Sequence, residues 1–549
     1  MIQDQHLDKV LQTVQTHSEE ELPSAILKAR DWCHLYHLSK ARANLIEWIN
    51  IGEEENILEF GAECGALTGL LAERAAFVMT LEADAVKTEI NRTRHRSFSN
   101  ITYLQGTLSV LKENCTGHCF DKIFLIGSLP LAELYMDSVK ENAYGELLSE
   151  LKTLLKPEGR LILALPNRLG LKYFAGCRDD YFGAPFTGLE DYYYHKGMRT
   201  FGKKELTALL TENGFPEHRF YYPYPDYRFM THLFSDERLP KEGELHTNLV
   251  NYDQGRYVFF DETKVYDGLV KEELFPQFSN SFLVITGKES VSDLVFTKYS
   301  YERSETFALR TDLRKSKETG EWYAKKSALQ KEAEEHVKGL PEISRRLSDF
   351  YRGSGIEVCP CREDVTFPFV SGQTLQEKIE SLVTTSKYDE IRSLIREYCF
   401  RVKKNCKEPF RETREFRKVF GKVKLPKKLI CADISDIDLI FSNIILAEND
   451  TWKVIDYEWT FTFPVPLHFL LYRAFYFACH QIQPCEVLSL PDLLMEEGIT
   501  ESEQREYEKM EASFQSYVTG GQMQERDLLI PIGNEILPLA EMDRAYREK

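Results

Sequence analysis

From residue 50 onward, short apolar runs alternate with amphipathic stretches. NILEF (56–60), FVMTLEAD (77–84), FDKIFLIG (120–127) and GRLILALP (159–166) are too short for buried helices and are bounded by turn residues, so they are predicted as strands. The clearest helix between them is GELLSELKTLLKPEG (145–159), in which Leu147, Leu148, Leu151, Leu154 and Leu155 form one stripe stopped by Pro157 and Gly159. KKELTALLTENGF (203–215) is a second amphipathic helix, closed by Gly214. This rhythm predicts an α/β fold with a parallel sheet covered by helices on both faces. Residues 1–49 read as helical, because Leu35, Leu38, Leu45 and Trp48 recur at three- and four-residue steps. After RFYYPYPDYRF (219–229) comes a long irregular stretch, and SNSFLVIT (279–286) then supplies one more strand.

The polar GKESVSD (287–293) closes the first domain. Beyond it the pattern becomes strand, turn, strand and helix, and then largely helix. The expected division is therefore a helical segment over 1–49, a Rossmann-like domain over 50–287, a second domain over 288–485 and a helical extension over 486–549. In that extension Tyr507, Met510, Phe514 and Tyr517 stand at helical steps and are expected to pack into a core or against a partner.

With 69 Lys and Arg against 87 Asp and Glu, the formal net charge of the 549 residues is −18, which disfavours nucleic acid as a partner of the whole protein. The 12 cysteines are scattered without a second pair at zinc-site spacing, as expected of reduced thiols. No basic segment followed by an apolar run opens the chain, and LHFLLYRAFYFACH (467–480) is broken by Arg473, so it reads as a buried helix. The expected location is cytoplasmic.

ILEFGAECGALTGLLAE (57–73) is a strand, a glycine-bearing turn and a helix start, a unit whose backbone approaches a ligand closely and offers free N–H groups. Glu82 ends the second strand, where a carboxylate can accept hydrogen bonds from both hydroxyls of a ribose. A dinucleotide-binding Rossmann domain would share these features. The segment resembles the first motif of class I S-adenosylmethionine-dependent methyltransferases, acid-x-Gly-x-Gly-x-Gly, at Glu59, Gly61 and Gly65, with Glu63 in place of the middle glycine. If that position needs a positive φ, glutamate is strained there and its charge repels the cofactor carboxylate, unless it points outward. The resemblance implies that Glu82 holds the ribose, that Gly106 and Thr107 flank the adenine and that Gly127 and Ser128 face the methyl donor.

HLSKARANLIEWI (37–49), NRLGLKYFAG (167–176), GMRTFGKKEL (197–206) and YPYPDYRF (222–229) resemble methyltransferases of bacterial surface-polysaccharide gene clusters, over about residues 35–287. Asn167, Arg168 and Lys172 follow the fifth strand at the sheet's carboxyl end and are candidates to grip a phosphate or a sugar, with ordinary solvated charges as the alternative. His195 is the candidate base for a sugar hydroxyl, with an exposed loop histidine as the alternative.

In CADISDIDLIFSNIILAENDTWKVIDYEW (431–459), Asp438 stands five residues before Asn443, and Asp456 thirteen beyond that. Phosphoryl transfer needs a carboxylate to orient the attacking hydroxyl, and an amide and a carboxylate to hold magnesium; these three residues match that chemistry. Asp436-Ile437-Asp438 and Asp456-Tyr457-Glu458 resemble the catalytic loop and metal aspartate of aminoglycoside and choline kinases. The resemblance implies a bilobal kinase-like α+β domain with Lys325, or Lys326 as the rival, on the ATP phosphates, Glu335 as a helix partner and FPFVSGQTLQEKI (367–379) as the hinge. KYSYERSETFALRT (298–311) lacks the glycines that normally cover the nucleotide, and Arg303 or Ser304 is the expected substitute.

The domain order resembles bifunctional methyltransferase/kinase terminators of O-antigen chains. It implies S-adenosylmethionine, ATP and Mg2+ as cofactors. The implied acceptor is a glycan or lipid-linked oligosaccharide, met by peripheral association at the inner membrane face. The alternatives are a methyltransferase whose C-terminal half is a binding module, and a non-enzymatic interaction protein in which both sites have decayed.

Overall fold

The computed structural model describes all residues except 1–5, 116, 139–141, 246–253, 288–291, 301, 448–450, 522, 526, 530–534 and 548–549, and the chain divides into two units. One is Met1–Tyr301 with Met523–Lys549; the other is Glu302–Gln522. Most of the boundary expected at GKESVSD lies outside the described residues.

The first unit is built on β1 (Asn56–Phe60), β2 (Phe77–Glu82), β3 (Ile101–Gln105), β4 (Phe120–Ile126), β5 (Leu155–Pro166), β6 (His218–Tyr224), β7 (His232–Ser235), β8 (Ser281–Thr286) and β9 (Leu294–Tyr299). Its strand order is β9-β7-β6-β8-β5-β4-β1-β2-β3. β1 to β5 pair in parallel, whereas β8 inserts antiparallel between β5 and β6, so the late strand SNSFLVIT lies inside the sheet. Ile57, Leu58, Phe60, Ile123, Phe124, Leu161 and Leu163 are fully buried, and both faces of these strands contribute to the core. Each such side chain contributes about 2 kcal/mol of burial.

The helix expected over 145–159 is shorter, Ala143–Leu154. Leu155 instead begins β5 and pairs with Phe120, because Pro157 disfavours helical backbone at Lys156 and pulls the chain into extended form early. The stretch read as irregular after residue 229 contains the helix Glu262–Lys271, capped by Asp261, whose side chain accepts from the Thr263 N–H at 3.1 Å. The N-terminal segment carries the helices Leu7–Thr16, Leu22–Ala29 and Trp32–Leu38. Leu528 and Leu529 of the tail pack into the same cluster as Trp32 and Phe229, and the Ser39 hydroxyl donates to Glu525.

In the second unit, Leu309–Lys315, Trp322–Ala328 and Thr366–Pro368 form antiparallel pairs. Thr374, within the segment read as a hinge, caps the helix Leu375–Thr384: its hydroxyl accepts from the Glu377 N–H while Glu377 accepts from the Thr374 N–H, at 3.0 and 2.8 Å. Ile444–Leu446 and Trp452–Val454 make an antiparallel pair, and the helix Leu467–Gln481 follows in the chain. Among the described residues no helix is long and apolar enough to cross a membrane. Residues 486–549 are not one extension. Tyr507, Met510 and Phe514, on the helix Glu501–Thr519, are buried in the second unit's core, whereas residues from 523 onward belong with the first unit.

Candidate active site

β1 ends in a turn that Gly61 enters at φ +73°. A Cβ there would lie 2.5 Å from the Ser128 Cβ and 2.7 Å from its Oγ, so the backbone of β1 and the turn after β4 approach as closely as glycine permits. The Ser128 hydroxyl donates to the Phe60 carbonyl at 2.7 Å, tying the two strand ends together. Gly127, at φ +76°, is equally committed, since a Cβ would stand 3.0 Å from the Tyr227 hydroxyl. Between these turns and the end of β2 lies a cavity of about 300 Å3, lined by Gly61, Glu63, Glu82, Ala83, Asp84, Lys87, Ile126, Gly127, Ser128, Leu131, Leu134 and Tyr135. It sits at the carboxyl ends of the parallel strands, where the sheet changes direction from β1 and β2 to β4.

Glu82 is held rigidly. It accepts from the N–H groups of Glu63 at 2.9 Å and Asp84 at 3.0 Å, and from the Tyr135 hydroxyl at 3.4 Å. Its two carboxylate oxygens keep acceptor capacity for a ligand hydroxyl. Burial raises its pKa, against the backbone hydrogen bonds that lower it. Glu63 occupies the left-handed region at φ +45° and is among the residues that line the cavity. Buried Arg42 lies in its field, beneath the Tyr36 ring with Cζ 3.9 Å from the centroid.

Of the residues expected to bind cofactor, Gly61, Glu82, Gly127 and Ser128 line the cavity; Glu59, Gly65, Gly106 and Thr107 do not. Glu59 lies behind the turn, where the Thr68 hydroxyl donates to it, Asn91 donates to Thr68 at 3.0 Å and His95 contacts Asn91 at 2.9 Å. Gly65 packs against Asn91, the Gly106 N–H buttresses Glu82 through its carbonyl at 2.9 Å, and the Thr107 hydroxyl is turned to Asp137. Burial pushes Glu59 up to about 8. A carboxyl with a raised folded pKa favours the fold below its unfolded value, and that contribution drains away as pH rises through about 8. Glu59→Gln keeps an acceptor for Thr68 and is therefore expected to flatten the loss of first-unit stability between about pH 4.5 and 8, as read by urea unfolding.

Asn167, Arg168, Lys172 and His195 do not line the cavity either. The Asn167 amide donates to the carbonyls of Gln277 and Ser279 at 2.8 and 2.7 Å, and Arg168 pairs with Glu205 at 3.1 Å. Lys172 is fully buried between Asp180 at 3.0 Å and Asp226 at 3.1 Å, while Arg228 pairs with the same two carboxylates. Two cations and two anions close on themselves, so the cluster holds the loops behind the site and leaves no charge for a phosphate. His195 stacks on Phe182 at 4.2 Å. Tyr135, Asp84, Lys87 and Tyr227 escaped the sequence reading, although Tyr135 follows β4 in SLPLAELY and Tyr227 lies within YPYPDYRF.

In the second unit the strand lysine is Lys326. Its ammonium lies 2.9 Å from Asp456 and 2.8 Å from Glu458, whereas Lys325 points to the other face of Trp322–Ala328. Glu335 is exposed, and its neighbour His336 meets Glu458 at 3.0 Å, so the expected helix partner is replaced by a carboxylate of the Asp456-Tyr457-Glu458 segment. Arg303 also binds Glu458, and the Ser304 N–H donates to the Val518 carbonyl at 3.0 Å. Asp438 pairs with Arg473 at 3.0 Å, its carbonyl accepts from the Asn443 amide at 2.9 Å, and its N–H donates to Asp436 at 2.9 Å. Burial pushes Asp438 up to about 6, against the pull of Arg473. Among the described residues no three His, Cys, Asp or Glu side chains gather as a metal cluster. The Asn443 amide oxygen and the half-exposed Asp456 carboxylate are nonetheless the hard donors a magnesium ion takes, and phosphates and water complete such spheres.

No family model matches the chain. The ribosomal RNA small subunit methyltransferase A of Syntrophus aciditrophicus is 34% identical over 92 residues, which are 16% of this chain and 31% of that protein, so the chain spans about a third of the curated relative it matches. Among solved structures, a SAM-dependent methyltransferase from Archaeoglobus fulgidus matches 46% of this chain and 93% of its own at 14% identity, with a TM-score of 0.28. The Haemonchus contortus phosphoethanolamine N-methyltransferase 1, in complex with phosphoethanolamine and S-adenosylhomocysteine, matches 30% of this chain and 35% of its own at 18% identity, with a TM-score of 0.22. The fold assignment rests on the strand order itself: a parallel β3-β2-β1-β4-β5 followed by antiparallel β8 and then β6 is the class I methyltransferase sheet expected from the first motif.

Proposed function

We propose that the first unit transfers a methyl group from S-adenosylmethionine to an acceptor of bacterial cell-surface polysaccharide biosynthesis. The observation that carries the cofactor reading is Glu82, fixed by two backbone N–H groups at the edge of a cavity that glycines 61 and 127 hold open. Bound cofactor supplies an electrophilic methyl on sulfonium; the chain's part is to fix the ribose at Glu82 and to exclude water with Leu131, Leu134 and Tyr135. The polysaccharide reading is supported by the four phrases of residues 37–229. A phosphate oxygen as acceptor is already anionic and needs no base, which suits a cavity that, among the described residues, neither His195 nor another histidine lines. A ribosomal RNA acceptor, named for the matched relative, is disfavoured by the net charge of −18. Calorimetric titration of the full chain with S-adenosylhomocysteine is expected to give one saturable site; no heat and no shift in Tm would sink the proposal.

The same reading makes the second unit a kinase-like phosphotransferase for a glycan hydroxyl, with Asp438 orienting the hydroxyl, Lys326 on the phosphates, and Asn443 and Asp456 on magnesium. Support comes from Lys326 and Asp456 standing 2.9 Å apart and from Asn443 bonded to Asp438. A binding module in place of a kinase is favoured by Arg303, which is drawn to Glu458 where a glycine-rich loop is expected. Titration with an ATP analogue and Mg2+ separates the two: saturable, magnesium-dependent heat favours the kinase, and its absence the module.

A further inference from the structure

We infer that residues 404–428 of the second unit, with Phe400 beside them, form a surface that binds an anionic membrane. Between Arg401 and Lys428 the chain holds twelve Lys and Arg against three Glu, in a protein whose formal net charge is −18. A basic segment in an otherwise acidic chain decides which face an anionic surface can approach, because the remainder is repelled. The fold gathers these charges. The strand Glu408–Pro409 pairs with Ile430–Ala432, and the Phe410 N–H donates to the Leu429 carbonyl at 2.8 Å, which brings Arg411 beside Lys427 and Lys428. Between the two strands runs the helix Arg414–Phe420, capped by Thr413, whose hydroxyl accepts from the Phe416 N–H at 3.1 Å. Phe416, Val419 and Phe420 are buried, with Phe416 against Phe410 at 5.2 Å between ring centroids, and this leaves Arg414, Arg417 and Lys418 exposed. Arg417 pairs with Glu412 at 2.7 Å. Among the described residues Lys407, Arg411, Arg414, Lys418, Lys427 and Lys428 make no ion pair, so their charge is not neutralised within the chain.

Apolar side chains accompany the cations. Phe400 is 61% exposed one helical turn before Lys404, whose ammonium lies 6.0 Å from its ring centroid, and Ile430, opposite Pro409, is 39% exposed. A dissolved polyanion offers such groups nothing, whereas the interfacial zone of a bilayer takes up rings and aliphatic chains beside cations. Within the kinase-like reading, Ile430–Ala432 leads in six residues to Asp438, so the same surface would bring that site to a lipid-linked acceptor. The binding itself does not depend on that reading.

The test is flotation of the full chain with vesicles of phosphatidylcholine alone and of an equal mixture of phosphatidylcholine and phosphatidylglycerol. Wild type is expected to bind the mixed vesicles roughly tenfold more strongly or better, and to be released as NaCl rises from about 0.05 to 0.5 M. Arg414→Gln, Lys418→Gln, Lys427→Gln and Lys428→Gln together are expected to weaken binding more than about a hundredfold, at about fivefold per cation, with Tm unchanged because all four are exposed and make no ion pair. The same change of charge on exposed lysines of the first unit, Lys9→Gln, Lys28→Gln, Lys196→Gln and Lys204→Gln, is expected to alter it less than about twofold. Phe400→Ser is expected to weaken vesicle binding roughly tenfold and to leave binding of soluble polyphosphate as it was. No preference for the anionic vesicles overturns the inference, as does an equal loss in the two quadruple variants. Binding of polyphosphate without binding of vesicles overturns it too, and makes the surface a site for a dissolved polyanion.

Discussion

Replacing Glu82 by alanine is expected to weaken S-adenosylhomocysteine binding by roughly a hundredfold or more, because hydrogen bonds to a charged group contribute about 1.5–3 kcal/mol each and two ribose hydroxyls would lose theirs together. The substitution also strips the acceptor from the N–H groups of Glu63 and Asp84, so a loss of affinity could arise from a loosened turn. Glu82→Gln separates the causes: its amide oxygen still accepts from one backbone donor while the charge is gone. Both variants are expected to lose the ligand in calorimetry, and only the alanine variant to lose more than about 1 kcal/mol of stability in thermal unfolding. Unchanged affinity in both removes Glu82 from the cofactor site.

The strands that position Glu82 were legible because strands covered on both faces read as unbroken apolar runs, and β1, β2 and β4 begin and end within a residue or two of NILEF, FVMTLEAD and FDKIFLIG. Leu155 was not, since an apolar residue in register with a helical stripe looks the same whether the helix continues or a strand begins; the proline two residues on decides it. Lys172 and Arg168 were misread for a related reason. A phosphate grip and a self-neutralised buried cluster use the same residue types, and Asp180 and Asp226, which cancel Lys172, lie 8 and 54 residues away in sequence. Tyr135 and Tyr227 carry no charge and fall inside apolar or aromatic stretches, so only the closeness of the turns after β1 and β4 reveals them. In the second unit, alternation along a strand demands that one of Lys325 and Lys326 face inward, yet the flanking residues of EWYAKKSA do not say which.

That choice makes a large difference to stability. Lys326→Met removes the cation between Asp456 and Glu458, and breaking a buried pair by deleting one partner typically costs about 3–5 kcal/mol. Arg303 and His336 still face Glu458, so the expected loss is at the lower end, about 3 kcal/mol. Lys325→Met, on the opposite face of the strand, is expected to stay within about 0.5 kcal/mol. The pH dependence carries the same signature. Burial alone would raise the pKa of Glu458, but Lys326 and then Arg303 overcome it and hold the carboxyl well below its usual range. A depressed carboxyl stabilises the fold above its unfolded value of 4.5 and gives that contribution up as pH falls, so wild type is expected to lose second-unit stability in acid more steeply than Lys326→Met. Hydrogen exchange of peptides spanning 309–328 and 452–461, measured at pH 7 and pH 4, reads both effects in the full chain. Faster exchange in Lys325→Met with none in Lys326→Met would return Lys325 to the inward face, and with it the strand register on which the kinase-like reading of the second unit depends.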